Sequence, residues 1–133
     1  MGEGRELGRG SGDAVKRPVP WSDGTDAAPA DLWHAGRRFG PDEVGAHPDG
    51  ASPYGVQDLL GGVWEWTATP FAPYPGFSAG PYTDYSQPWF GDHHVMRGGS
   101  WATKSRLVHA RMRNFYLPDR SDMFVGFRTC ASR

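Results

Sequence analysis

Glycine and proline recur along the whole chain, with 19 and 12 copies among 133 residues. Both interrupt regular structure, because proline lacks a backbone donor and glycine loses the most conformational entropy on ordering. Aromatic residues nevertheless make up 14% of the chain, and the mean hydropathy is −0.61. This combination predicts a loop-rich globular domain with an aromatic core, and it disfavours both a helical bundle and a disordered polymer.

Charge and hydropathy exclude several kinds of partner. Lys and Arg number 14 against 15 Asp and Glu, so a basic nucleic-acid-binding protein is not indicated. No apolar run approaches the roughly 20 residues that span a bilayer, and Met1–Gly10 lacks the apolar stretch of a secretory signal. Cys130 is the sole cysteine, so an intramolecular disulfide is impossible. We therefore expect one cytoplasmic domain without nucleic-acid or membrane partners.

The apolar content changes along the chain. Residues 1–17 are rich in glycine and charge, so we expect a flexible tail that cannot offset its ordering entropy. Pro18–Pro53 has sparse apolar residues between prolines, glycines and aspartates, which predicts irregular surface loops. Fifteen of the 18 aromatic residues follow Gly50, so the core is expected in that part.

Three short segments after Gly50 have the composition of strands. Gly62–Thr67 alternates large and polar residues, Val95–Trp101 contains a glycine pair, and Phe124–Arg128 is rich in β-prone residues. Ala68–Asp92 is too long for a simple connection, which predicts a packed, functional loop. The best helix candidate is Arg106–Phe115, although its apolar residues are poorly periodic.

Positive charge is concentrated toward the C-terminus. Arg97–Arg133 contains eight basic and two acidic residues. One interpretation is a site for an anionic small molecule. The alternative is that these arginines pack along aromatic faces as cation–π groups.

Three ordered motifs carry a resemblance to a known family. Ala51–Thr67, Arg97–Trp101 and Gly126–Arg128 resemble the formylglycine-generating-enzyme, or sulfatase-modifying-factor, domain, and Pro20–Gly24 resembles the turn that precedes these motifs in that family. The likeness extends from about residue 18 to 131. It implies an α+β, loop-rich, modified C-type-lectin-like fold with short antiparallel strands, of which residues 18–133 would form the C-terminal part.

Narrower motifs resemble the sulfoxide synthases of ergothioneine biosynthesis. They are Pro70–Phe77, Tyr82–Ser86, Trp89-Phe90 and Arg113–Arg120. Such enzymes join a cysteine-type thiol to the imidazole of Nα-trimethylhistidine with non-haem iron and O2. Selenoneine synthases have a similar C-terminal domain, so a selenium donor stays open.

The resemblance also implies site residues. Tyr82 would donate a proton, and Arg120 would hold the carboxylate of the thiol substrate. The trimethylhistidine pocket would be lined by Asn114, Phe115 and Tyr116. Enzymes that use γ-glutamylcysteine have Asp at the position of Tyr116, so both cysteine and γ-glutamylcysteine stay open as donors. The alternative for each residue is a packing role.

The chain departs from this pattern in its metal ligands. In these synthases a DinB-like helical domain holds the iron, and the chain lacks the His-x3-His-x-Glu pattern of that domain. We therefore expect Fe(II) to be bound by a domain absent from this chain, acting in cis or in trans, and no metal site on the chain itself. Adjacent residues of a strand point to opposite faces, so His93 and His94 are not expected to chelate together. The copper-binding cysteine pair of formylglycine-generating enzymes is missing from Ala102–Val125.

Other motif residues are expected to build the scaffold. Gly98 and Gly99 predict a backbone approach that leaves no room for a Cβ. Glu65 is expected to pair with Arg97 or Arg128, because a buried carboxylate without a partner is costly. We expect Cys130 to be an inert, packed thiol.

Two other hypotheses remain at this stage. Lectin-like folds place variable loops on a stable frame, so the chain is alternatively a non-catalytic binding module whose Phe71–Phe90 loop is the recognition surface. It is also interpretable as a truncated formylglycine-generating-enzyme relative. Iron content and O2 consumption distinguish the module from the synthase.

Overall fold

The computed structural model describes residues 18–21, 30–32 and 39–130, and its regular structure is centred on one four-stranded sheet. The strands are β1 (Trp64–Pro70), β2 (His94–Arg97), β3 (Asn114–Tyr116) and β4 (Val125–Gly126). Their order across the sheet is β3-β2-β1-β4. The predicted loop-rich fold with short strands is confirmed. The β1–β2 and β2–β3 pairs are antiparallel as expected, whereas β4 runs parallel to β1.

Helical structure is limited to single turns. The described part of the chain contains short 3-10 helices and no α-helix; these are Pro48–Gly50, Thr83–Tyr85, Gln87–Trp89 and Ser105–Leu107. The helix predicted over Arg106–Phe115 is therefore wrong. Its last residues instead form β3, because the free edge of β2 provides backbone partners for the β-prone side chains there. The flexible tail predicted for residues 1–17 lies outside the described residues.

The glycine pair ends the second predicted strand early. Gly98 and Gly99 have φ values of +93° and +81°, so the chain leaves the sheet after Arg97 rather than continuing to Trp101. A Cβ on Gly98 would lie 3.0 Å from the carbonyl oxygen of Leu59. The expected lack of space for a side chain is confirmed at this position.

The core draws on both halves of the chain. Leu59 and Met96 are fully buried. A second buried cluster is Ala30, Leu32, Leu60 and Val108, with Val19 and Trp21 packed against it. The interpretation of Pro18–Pro53 as surface loops is therefore wrong for these residues. The interpretation holds for Phe39 and Val44 of the same segment, which are 93% and 96% exposed.

Two C-terminal arginines serve packing. The Arg97 guanidinium donates to the backbone carbonyl of Ala110. Arg113 lies over two rings, with its Cζ 3.9 Å from the ring centre of Tyr74 and 5.1 Å from that of Phe71. Arg113 thus packs along aromatic faces, as the second interpretation predicts, whereas Arg97 is held by a backbone carbonyl.

Arg128 ties the C-terminal segment to β1. Its Nε lies 2.9 Å from each carboxylate oxygen of Glu65, and Nη2 also contacts that carboxylate. The same guanidinium donates to the carbonyl oxygens of Gln57 and Asp58 at 3.1 and 3.0 Å. The expected pairing of Glu65 with an arginine is confirmed, and Arg128 is the partner.

Replacing Thr67 by valine is expected to lower the free energy of unfolding by about 1 kcal/mol. Thr67 is buried, and its Oγ1 donates to the carbonyl oxygen of Val95 at 2.9 Å. This bond lies where the β1–β2 register shifts between Trp66 and Pro70. Urea unfolding measures the change, and Thr69→Val, at an exposed position of the same strand, is the matched control. Equal stabilities for the two variants would contradict the prediction.

Candidate functional site

A cavity of about 370 Å³ lies where the chain leaves β3. Its wall consists of His93, Tyr116, Leu117, Asp119, Arg120, Ser121 and Asp122. Two of the five predicted site residues, Tyr116 and Arg120, therefore share one cavity. The other three, Tyr82, Asn114 and Phe115, do not belong to its wall.

A tight turn brings Arg120 onto Tyr116. The backbone N–H of Arg120 donates to the carbonyl oxygen of Leu117 at 3.1 Å, which reverses the chain after β3. The Arg120 Cζ then lies 4.2 Å from the ring centre of Tyr116. Its Nε and Nη2 donate to the two carboxylate oxygens of Asp122 at 2.6 and 3.0 Å. These hydrogen bonds raise the pKa of Arg120 above its usual value, so the guanidinium remains charged.

His93 is a buried member of the cavity wall that the motifs did not predict. Its Nδ1 lies 2.7 Å from Oδ1 of Asp92, and this hydrogen bond lowers the pKa of the Asp92 carboxyl. An ionised carboxylate only accepts, so Nδ1 carries the proton. The ring also contacts Trp89 and Phe115, with centre distances of 5.1 and 5.9 Å. The Asp-His pair in the sequence was the signal that could have identified this oriented imidazole.

Phe115 is the centre of an aromatic cluster beside the cavity. Phe71 stacks on it, with ring centres 3.9 Å apart and planes inclined by 9°. Tyr85 meets its ring edge-on at 6.1 Å, and Tyr82 lies 6.3 Å from Tyr85. Tyr82 is 70% exposed. The structure therefore connects Tyr82 to Phe115 through Tyr85, at the surface of the molecule.

Asn114 and Phe115 lie on opposite faces of β3. The register pairs Asn114 with Met96 and Phe115 with Val95, so alternate side chains diverge. The Asn114 Oδ1 accepts a hydrogen bond from the backbone N–H of Phe115 at 3.0 Å. Because β3 is an edge strand, both residues nevertheless border the open side of the sheet.

The described residues do not provide a binding site for the iron ion that the resemblance implies. Among the residues with described positions, no group of three or more His, Cys, Asp or Glu is arranged to hold a metal. His47 contacts Asp42 at 2.9 Å, while His94 lies against the carbonyl oxygen of Thr67. Each described histidine thus has its own local partner, and His34 lies outside the described residues.

Cys130 differs from its prediction. We expected a packed thiol, but the side chain is free and exposed. Cys130 lies four residues beyond the end of β4, and the described residues 127–130 form no strand.

A larger cavity, of about 560 Å³, borders the Glu65–Arg128 pair. None of the predicted site residues belongs to its wall. The wall does contain several carboxylates, among them Asp31, Asp42 and Asp58. Asp58 accepts a hydrogen bond from the backbone N–H of Gly45, and Asp42 contacts His47. Of these two cavities, only the smaller one contains predicted site residues in its wall, and these are Tyr116 and Arg120.

Comparisons with known proteins agree with the motifs. The model of the sulfatase-modifying factor enzyme 1-like domain matches residues 8–133. Proteins named "Hercynine oxygenase" from Mycolicibacterium thermoresistibile and Mycobacterium tuberculosis are each 44% identical, over 119 and 116 residues. These matches cover 85% of this chain and 26% and 27% of those proteins, so the chain spans about a quarter of their length. A protein of Schizosaccharomyces pombe named "Ergothioneine biosynthesis protein 1" is 35% identical over 62% of this chain and 11% of its own length.

A solved structure supports the fold. PvdO from Pseudomonas aeruginosa superposes with a TM-score of 0.62 at 23% identity, over 94% of this chain and 49% of that one. No helix among the residues with described positions is long and apolar enough to cross a membrane. With the family model matched over almost the whole chain, the three sequence motifs and the fold in agreement, this chain belongs to the sulfatase-modifying factor enzyme 1-like domain family.

Proposed function

We propose that this chain is the substrate-binding part of an iron(II)- and O2-dependent sulfoxide synthase that joins a cysteine-type thiol to Nα-trimethylhistidine. The observation that carries the proposal is the cavity in which Arg120 stacks on Tyr116. Relatives named for hercynine oxygenation and ergothioneine biosynthesis support the same pathway. Hercynine is Nα-trimethylhistidine, so the names of these relatives agree with the proposed acceptor.

The aromatic cluster suits the trimethylammonium group of that acceptor. A quaternary ammonium has no N–H to donate and is held best against aromatic faces. Phe115 and Tyr85 present such rings beside the edge of the sheet. Asn114 adds an amide on the other side of the same edge strand, within reach of the imidazole or carboxylate of a ligand that lies across β3.

Arg120 suits the carboxylate of the sulfur donor. A guanidinium offers five N–H groups in a planar fork, and the stacked Tyr116 ring fixes the plane of that fork. Cysteine and γ-glutamylcysteine both carry the required carboxylate, and so does a selenium analogue. Tyr82 supplies a proton in this proposal, because the O–H group of a phenol is a donor.

The iron of this reaction belongs, in the proposal, to a DinB-like domain acting in cis or in trans. None of the described residues takes part in holding it. The C-terminal domain would orient both organic substrates and limit the access of water. The proposed compartment of this reaction is the cytoplasm.

Replacing Arg120 by alanine is expected to weaken cysteine binding about tenfold, because the variant loses the charged donors for the carboxylate. Binding of Nα-trimethylhistidine is expected to change little. Phe115→Ala should give the opposite result, weakening Nα-trimethylhistidine and sparing cysteine. Isothermal titration calorimetry on the full chain measures both affinities.

Arg106→Ala is the matched control, since Arg106 is an exposed arginine in the 3-10 helix Ser105–Leu107. It should bind both substrates as the unaltered chain does. Unchanged cysteine affinity in the Arg120 variant would overturn the assignment of this cavity. Absence of iron and of O2 consumption in the intact gene product would instead favour the non-catalytic binding module.

A further inference from the structure

The charged groups of the smaller cavity do not form an anion site. Arg120 is its only guanidinium, whereas Asp119 and Asp122 contribute two carboxylates to the same wall. His93, the remaining titratable base in the wall, is oriented by Asp92. A ligand with negative charge alone would therefore meet as much repulsion as attraction here.

Asp122 is held in a defined position beside Arg120. One carboxylate oxygen accepts from Nε at 2.6 Å and the other accepts from Nη2 at 3.0 Å. The same hydrogen bonds lower the pKa of the Asp122 carboxyl below its usual value. The carboxylate is therefore ionised at neutral pH, next to the site proposed for the substrate.

This ion pair keeps unused hydrogen-bonding capacity on both sides. A carboxylate has about four lone-pair positions, and Arg120 occupies one on each oxygen. A guanidinium has five N–H donors, and Nη1 of Arg120 has no hydrogen-bond partner among the described residues. Both side chains are also partly open to solvent, at 44% and 65% exposure for Arg120 and Asp122. A ligand can thus reach the pair without separating it.

We propose that Asp122 is a specificity-determining residue of this cavity, which binds the α-ammonium group of an amino-acid thiol while Arg120 holds the α-carboxylate. When an amino-acid head group lies antiparallel to the Arg120–Asp122 pair, its two charges and those of the pair alternate in sign. Each charge then has neighbours of opposite sign. A thiol acid without an ammonium group would instead place its carboxylate near that of Asp122. The inference rests on the proposed function, because it takes Arg120 as the carboxylate site.

The net charge of the wall also bears on which amino-acid thiol is preferred. With one guanidinium and two carboxylates, the cavity suits a ligand that carries a single carboxylate and an ammonium, such as cysteine. γ-Glutamylcysteine carries a second carboxylate, for which the wall has no further cation.

The test compares cysteine with 3-mercaptopropionate, which has the same thiol and carboxylate and lacks the ammonium group. Calorimetric or NMR titration of the full chain should give about tenfold tighter binding of cysteine. In Asp122→Asn this preference should fall to about twofold or less, mainly through weaker cysteine binding. Asp122→Glu, which retains the carboxylate, should recover part of the preference.

Asp49→Asn is the matched control, because it removes one exposed carboxylate in the 3-10 helix Pro48–Gly50, outside the cavity wall. It should keep the tenfold preference. If Arg120→Ala abolishes cysteine binding while Asp122→Asn keeps the full preference, the inference about Asp122 is wrong and the carboxylate site stands. If cysteine binds the Arg120 variant normally, or fails to bind the unaltered chain, the proposed function falls and this inference with it.

Discussion

Replacing Gly61 by alanine is expected to lower the free energy of unfolding by about 3–5 kcal/mol. The Cβ of the new residue would lie 2.3 Å from the carbonyl oxygen of Asp31 and 2.7 Å from its carbonyl carbon. Both atoms belong to the backbone, so the clash cannot be relieved by turning a side chain. The φ of +93° adds a conformational penalty for any residue with a Cβ.

The clash also disturbs a hydrogen bond that joins two distant parts of the chain. The same Asp31 carbonyl accepts from the backbone N–H of Gly62 at 2.9 Å, so moving it away weakens this link. Segment 30–32 would separate from the core cluster that contains Leu32 and Leu60. Urea unfolding monitored by tryptophan fluorescence measures the loss.

Gly62→Ala is the matched control for this prediction. Gly62 also has a positive φ, +67°, but a Cβ there meets no atom within 4 Å. Its substitution should cost only about 1 kcal/mol, from the left-handed backbone conformation. Equal losses in the two variants would show that the approach of Asp31 does not matter. A variant of Gly61 that fails to fold at all represents the upper limit of the expected effect.

Replacing Arg128 by lysine is expected to destabilise the chain by about 2–3 kcal/mol. The guanidinium contacts the Glu65 carboxylate and two backbone carbonyls at once, whereas one ammonium cannot reach all three acceptors. The pair is only partly exposed, at 28% for Arg128 and 16% for Glu65. Lysine would therefore leave at least one of these acceptors without its donor.

A double-mutant cycle with Glu65→Gln isolates the interaction between the two side chains. We expect a coupling free energy of at least about 1 kcal/mol, measured by urea unfolding. Arg106→Lys is the control, because it makes the same substitution at an exposed position and should change stability by less than about 0.5 kcal/mol. Additive effects of the Arg128 and Glu65 substitutions would contradict the prediction.

The sequence motifs predicted the parts of the fold that depend on local chemistry. The alternation in Gly62–Thr67 identified β1, and the glycine pair after Arg97 marked the close backbone approach at Leu59. The requirement that a half-buried carboxylate be paired identified an arginine partner for Glu65. Each of these inferences used residues whose own physical properties limit their environment.

The features that were missed depend on neighbours distant in sequence. β3 has only three residues, and it exists because β2 offers a free edge. Leu32 lies in a part of the chain with few apolar residues, yet it belongs to a core cluster with Val108. Cys130 follows the last strand, and composition does not indicate that so little chain covers it.

The candidate site was predictable in part. Tyr116 and Arg120 are four residues apart in the motif. A turn at Leu117 places the Arg120 guanidinium over the Tyr116 ring, so these two predicted residues are in contact. Asp122 was not predicted, because spacing alone does not reveal its hydrogen bonds to Arg120. His93 was considered only as a metal ligand, whereas its observed partners are a carboxylate and aromatic rings.

The order of the strands has a consequence for how far the segment between β3 and β4 can vary in length. β3 and β4 occupy opposite edges of the sheet, so residues 117–124 pass from one margin to the other. Three spacings of about 4.8 Å separate those margins by about 14 Å, whereas eight extended residues reach about 27 Å. The segment is therefore longer than the distance it spans, and the turn before Arg120 accommodates the extra residues. Insertions, or deletions of two or three residues, can therefore change the shape of this segment during evolution without altering either anchoring strand.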